Sequence, residues 1–138
     1  MSSFEVLDLF SGSGSISYEF ASRGCREIHA VEIDPRHVAY IRTTAGKLGL
    51  RQMRVIRDDA FHFISICKKQ YDIIFADPPY ELPQINEIPD SIFGHDLLKP
   101  DGILILEHSK WNDFTGHAFF LDHRNYGNVH FSFFKREQ

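Results

Sequence analysis

Cysteine is scarce in this sequence: Cys25 and Cys67 are the only two, far apart and outside any CxxC pairing. A disulfide scaffold and a cysteine-built zinc cluster are both excluded, and the pair reads as reduced, small apolar residues. Long hydrophobic runs are missing as well. No stretch approaches the ~18 apolar residues of a membrane span, and Met1-Ser2-Ser3-Phe4-Glu5 lacks the basic-then-apolar order of a secretory leader. The expected location is the cytoplasm, with no membrane partner. Internal repeats, low-complexity tracts and Pro/Gly/Ser-rich linkers are absent, which argues against a solenoid or a tethered second domain. A chain of 138 residues fits one domain, 1–138. Nor is there an excess of positive charge, the net value being −4. That excludes a protein basic throughout, yet an enzyme of nucleic acids can confine its positive charge to one face. Eight histidines are present, none spaced as HxxxH, so no metal is expected.

What the chain does have is 43% hydrophobic residues, enough for a real core, arranged in short apolar segments at regular intervals. Segments 4–9, 28–33, Met53–Arg57, Tyr71–Ala76 and 102–107 are rich in branched residues and read as doubly buried strands. Helix-length stretches lie between them. Residues 15–23 space Ile16, Phe20 and Ala21 on one face before Gly24, and Pro35–Leu48 opens after Asp34 and ends at Gly49. Phe61, Ile64 and Cys67 mark a third helix, and residues 97–100 are expected to close a fourth before the turn Pro100-Asp101-Gly102. Such alternation implies right-handed crossovers and a doubly wound α/β fold, a mostly parallel sheet with helices on both faces. The last third breaks the rhythm. Segments 119–122 and 129–135 flank Asn125-Tyr126-Gly127-Asn128, predicting a C-terminal antiparallel hairpin on the sheet edge, its aromatics serving as edge-strand core.

Four places carry chemistry. The first strand runs into Asp8-Leu9-Phe10-Ser11-Gly12-Ser13-Gly14 and then directly into a helix. Gly12 and Gly14 permit positive φ and close backbone approach, while the helix start presents free N–H groups. The third glycine of a dinucleotide fingerprint would fall at Ser17, which argues against NAD. Glu32 ends the second strand, where a carboxylate can accept from both hydroxyls of a ribose, and Asp34 reads as the cap of the next helix. After the third strand come Asp58-Asp59-Ala60; an acid here either accepts from an adenine amine or caps the third helix. Asp77-Pro78-Pro79-Tyr80, directly after the fourth strand, is the most specific signal. Two successive prolines bring carbonyls but no N–H donors and hold the turn stiff. Asp77 and the Pro78 carbonyl then form an acceptor pair that can grip a nucleobase amino group and help localise its lone pair, with Tyr80 stacked on the base.

Together these residues resemble the class I S-adenosylmethionine-dependent methyltransferases that modify exocyclic amino groups. The phrasing Leu7 to Gly14, Ser22-Arg23-Gly24, Val31-Glu32-Ile33-Asp34 and Glu107-His108-Ser109 is similar to the bacterial 16S rRNA guanine-N2 methyltransferase family, RsmD. The resemblance covers nearly the whole chain and implies a Rossmann-like methyltransferase sheet. Asp8, Phe10, Gly12, Gly14, Glu32, Asp59 and Ala60 would bind S-adenosylmethionine; Asp77, Pro78 and Tyr80 would be catalytic; Pro79 and Tyr80 would face the target base. The expected partner is 16S rRNA or the small ribosomal subunit. This family normally carries an N-terminal segment before the first strand, which here begins at about Phe4, so the sequence reads as a catalytic core without it.

Charge is segregated along the chain. Residues 35–57 hold Arg36, Arg42, Lys47, Arg51, Arg54 and Arg57 without one acid. Arg51 and Arg54 are candidate phosphate contacts, against the plainer reading of a solvated face. Three functions stay open on the sequence: guanine-N2 methylation of rRNA, adenine-N6 methylation of DNA or RNA, and a non-catalytic nucleotide-binding module.

Overall fold

The computed structural model describes residues 3–136. In chain order the elements are β1 (Glu5–Leu9), α1 (Ser15–Ser22), β2 (Glu27–Glu32), α2 (Pro35–Leu48), β3 (Met53–Arg57), α3 (Ala60–Ile66), β4 (Tyr71–Ala76), α4 (Ile88–Gly94), β5 (Leu98–His108), β6 (Phe120–Tyr126) and β7 (Val129–Phe134). The strands form one sheet in the order β3-β2-β1-β4-β5-β7-β6. Its first five strands pair in parallel, and β7 joins β5 and β6 in antiparallel fashion. This is the doubly wound sheet with a C-terminal edge hairpin that the sequence predicts. Among the described residues no helix is long and apolar enough to cross a membrane.

Successive strand side chains point to opposite faces, so Val6 and Leu7 feed different cores. Val6 and Ile28 pack with Ala21 and Cys25 under α1. Leu7, Leu9, Ile74 and Leu104 pack with Phe63 and Ile64 of α3 and Ile92 and Phe93 of α4. Both faces are thus covered, which is why the parallel strands read as continuous apolar runs.

Two expectations need correction. The fourth helix is not closed by residues 97–100: α4 ends at Gly94, and Leu98-Lys99-Pro100 already belong to β5. The turn residues Pro100-Asp101-Gly102 sit inside that strand as an irregularity, where the partner register jumps from Tyr71↔Leu98 to Ile73↔Ile103 and Asp101 takes φ 67°. A bulge of this kind absorbs turn chemistry without ending the strand. The hairpin is also longer than expected, since Asn125 and Tyr126 belong to β6 and the reversal is made by Gly127, at φ 61°, and Asn128. Its aromatics serve the core in part: Phe134 is fully buried, whereas most of β6 is exposed.

Gly14 is the N-cap of α1 at φ 87°, and a Cβ there would lie 3.0 Å from Ile41 Cγ1 and 3.1 Å from the Tyr18 ring. Backbone strain and steric crowding coincide. Gly14→Ala is expected to lower stability by about 1–3 kcal/mol in urea denaturation; an unchanged midpoint would show that neither constraint operates.

Candidate active site

β1 lies at the point where the strand order reverses, with β2 and β3 to one side and β4 and β5 to the other. Open α/β sheets bind ligands at the carboxyl ends of the strands beside such a switch point. A cavity of about 660 Å³ opens there, well within the ~300–1,000 Å³ of small-molecule sites. Asp8, Phe10, Gly12, Glu32, Asp59, Ala60, Asp77, Pro78, Pro79 and Tyr80, all singled out in the sequence, line it together. Gly14, Arg51 and Arg54 do not.

The glycine turn is held open by its neighbours. Phe10 and Gly12 take φ 59° and 57°, the first an unusual conformation for a bulky side chain. A Cβ on Gly12 would meet nothing within 4 Å, so the backbone there fronts open space. The Glu32 carboxylate, 8% exposed, fixes the loop: Oε1 accepts from the Gly12 amide at 2.7 Å and Oε2 from the Asp34 amide at 2.9 Å. A carboxylate has about four acceptor sites, so Glu32 keeps capacity for ribose hydroxyls. Ser17, in place of a third glycine, is fully buried and donates to Asp8 Oδ2 at 2.7 Å, locking the start of α1 onto β1. Ser15 and Ile16 bring the first turn of that helix, with its unbonded amides, to the cavity wall.

Asp34 and Asp59 are both caps, accepting from the amides of Arg36 at 2.9 Å and His62 at 3.0 Å. Asp59, while capping α3, also borders the cavity. Arg51 and Arg54 stand at the opposite end of the sheet. Pairing of Ile28 with Met53 and of Glu32 with Arg57 places them at the amino end of β3, where Arg54 Nε meets Glu27 at 3.1 Å.

Asp77 leaves β4 beside the end of β1, its amide donating to the Leu9 carbonyl at 3.3 Å. The Leu82 amide closes the proline turn on the Pro79 carbonyl at 3.0 Å. Exposed Tyr80 donates to Glu107 Oε2 at 3.4 Å. Glu107 lines the same cavity and was not among the residues expected to act; an acid ending a buried apolar strand was the signal available for it. Ala76 pairs with Leu106, so the parallel register carries Asp77 and Glu107 side by side at the ends of adjacent strands. Burial and the Asp77 charge push Glu107 up to about 7, and partial desolvation against the cavity wall raises Asp77 even though that residue is exposed at the surface. Two carboxyls so placed disfavour each other's ionised form.

Comparison with known proteins fits this geometry. The family model described as Conserved hypothetical protein 95 matches residues 1–135. The chain is 29% identical over 101 residues to Ribosomal RNA small subunit methyltransferase D of Buchnera aphidicola subsp. Baizongia pistaciae (strain Bp), covering 73% of this chain and 52% of that protein. It is 26% identical over 110 residues to the protein of the same name from Haemophilus influenzae, covering 77% and 57%. The chain therefore spans little more than half the length of these curated relatives. A solved structure described as a conserved hypothetical protein of Streptococcus pyogenes superposes with a TM-score of 0.85 at 23% identity, over 97% of this chain and 86% of that one.

Asp8, 2% exposed at the base of the cavity, is pushed up to about 7 by burial, against the opposing hydrogen bond from Ser17. Its unfolded value is ~3.9. A carboxyl that ionises less readily in the folded state contributes stability below about pH 4, and this is lost as pH rises through about 7. Asp8→Asn keeps an acceptor for Ser17 and removes the ionisation. In thermal melts it should exceed the wild type at about pH 8, with the gap closing toward about pH 4; a gap independent of pH would refute this account.

Proposed function

The chain belongs to the Conserved hypothetical protein 95 family, and from that premise we propose that it transfers a methyl group from S-adenosylmethionine to the N2 amine of a guanine in 16S rRNA. Its cofactor is S-adenosylmethionine. The observation that carries the reading is the joining of the Gly12 turn, Glu32 and Asp77-Pro78-Pro79-Tyr80 in one cavity. Support for RNA comes from relatives named for methylation of small-subunit ribosomal RNA.

The lining chemistry fits the cofactor. Six carboxyl groups, those of Asp8, Glu32, Asp58, Asp59, Asp77 and Glu107, border the cavity, and among the described residues no lysine or arginine does. Such a lining suits a positively charged sulfonium and an amine donor. It opposes the phosphates of a dinucleotide, which weighs against a module for NAD or a similar nucleotide. Glu32 would take the ribose hydroxyls, the turn at Phe10 and Gly12 would pass under the amino-acid portion, and Asp59 with Ala60 would border the adenine.

When bound, the cofactor supplies an electrophilic methyl carbon. The chain supplies alignment and a route for one proton. A nucleobase amine is a poor nucleophile because its lone pair is delocalised into the ring. Asp77 and the Pro78 carbonyl accept from its two N–H bonds, holding the nitrogen where the lone pair faces the methyl carbon, and Tyr80 stacks on the ring. Once methylated, the amine nitrogen would be cationic. Its surplus proton would then pass to Asp77, whose proton affinity is raised by partial desolvation at the cavity wall.

Asp77→Ala is expected to reduce methyl transfer by at least about a hundredfold, with affinity for S-adenosylhomocysteine nearly unchanged in calorimetry. Full turnover by the variant would overturn the assigned role. Arg51 and Arg54, remote from the cavity, are assigned to phosphates at a distance from the target base. Neutralising both should weaken rRNA binding and reduce the slope of log affinity against log salt by about one per contact; an unchanged slope would remove them from the interface.

A further inference from the structure

We propose that Glu107 reads the target base: its carboxylate accepts the ring N–H beside the amine held by Asp77 and Pro78, so that the site admits guanine and rejects adenine and cytosine. This rests on the reading of the cavity as a centre for nucleobase-amine methylation and adds the determinant of which base enters. The position of Glu107 follows from backbone pairing rather than from a chance rotamer. Ala76 pairs with Leu106, and the next residue on each strand is an acid. Tyr80, assigned above to the face of the base, donates to Glu107 Oε2 at 3.4 Å, so Glu107 stands at the rim of the place where the ring would lie.

Glu107 has no cationic partner among the described residues; Tyr80 donates to it and Asp77 stands beside it on the neighbouring strand. Placing two carboxyls in contact is unfavourable for folding, which points to a ligand that relieves it. A base with adjacent donors does so. The guanine amine neighbours N1–H, one carbon away, and this gives three donors for three acceptors: Asp77, the Pro78 carbonyl and Glu107. In adenine and cytosine the ring nitrogen beside the amine is bare, so its lone pair would confront the carboxylate and leave both unpaired.

The test uses the full chain, labelled S-adenosylmethionine and uridine-tract RNA oligonucleotides carrying one guanine, one 2-aminopurine or one adenine. 2-Aminopurine keeps the 2-amino group but has a bare N1. The wild type should prefer guanine over 2-aminopurine by about ten- to a hundredfold in kcat/KM, the range of one well-made base contact. Glu107→Gln, whose amide can donate or accept, and Glu107→Ala, which does neither, should both bring that ratio close to one, with S-adenosylhomocysteine affinity retained. Equal losses on both bases, a collapse of S-adenosylhomocysteine affinity, or wild-type preference for adenine would each overturn the assignment. Transfer by the wild type to none of the three RNAs would instead overturn the methyltransferase reading beneath it.

Discussion

The constraint on which this protein depends is the parallel register of β2, β1, β4 and β5. Val31 lies level with Leu9, Leu9 with Ala76, and Ala76 with Leu106. At this height β1 and β4 end and β2 and β5 run one or two residues further, so the next residue of each strand stands on the same edge. The glycine turn, Glu32, Asp77 and Glu107 are neighbours for that reason alone. A slip of one residue would turn every side chain of a strand to the opposite face, and buried apolar runs on both faces hold the register against it.

Onto that edge the chain places acceptors. Glu32 ties the glycine turn to the following helix through two backbone amides, so a single carboxylate sets the shape of one half of the cavity. Asp77 and Glu107 set the other half, and Asp8 lies beneath, its burial raising its pKa as theirs are raised. The arrangement is electrostatically uncomfortable when empty and becomes complementary when a cation and an amine occupy it. Carboxyl pairs of this kind concentrate at sites that handle protons, and they explain why a protein proposed to act on RNA carries so acidic a pocket. No lysine or arginine among the described residues lines that pocket.

Much of this was legible in order along the chain. The five parallel strands with four helices between them, the caps Asp34 and Gly49, the edge hairpin and the ten expected residues that line the cavity follow from local chemistry: buried runs, capping side chains and stiff proline turns. The errors were local signals overruled by tertiary pairing. Pro100-Asp101-Gly102 has the composition of a turn, yet β4 pairs on both sides of it and the strand continues through a bulge. Gly14 belongs to the same motif as Gly12 but faces Tyr18 and Ile41 rather than the cavity, because alternate positions of a tight turn point in different directions.

The amino-acid sequence alone determined the type of fold and the chemistry available at each strand end, since these depend on residues close together in the chain. Only the tertiary structure decided which ends meet. Asp77 and Glu107 are separated by thirty positions, and nothing in either segment states that Ala76 lies against Leu106. Parallel strands are joined by crossovers, so their register is set by packing on both faces of the sheet and not by a turn that can be read between them.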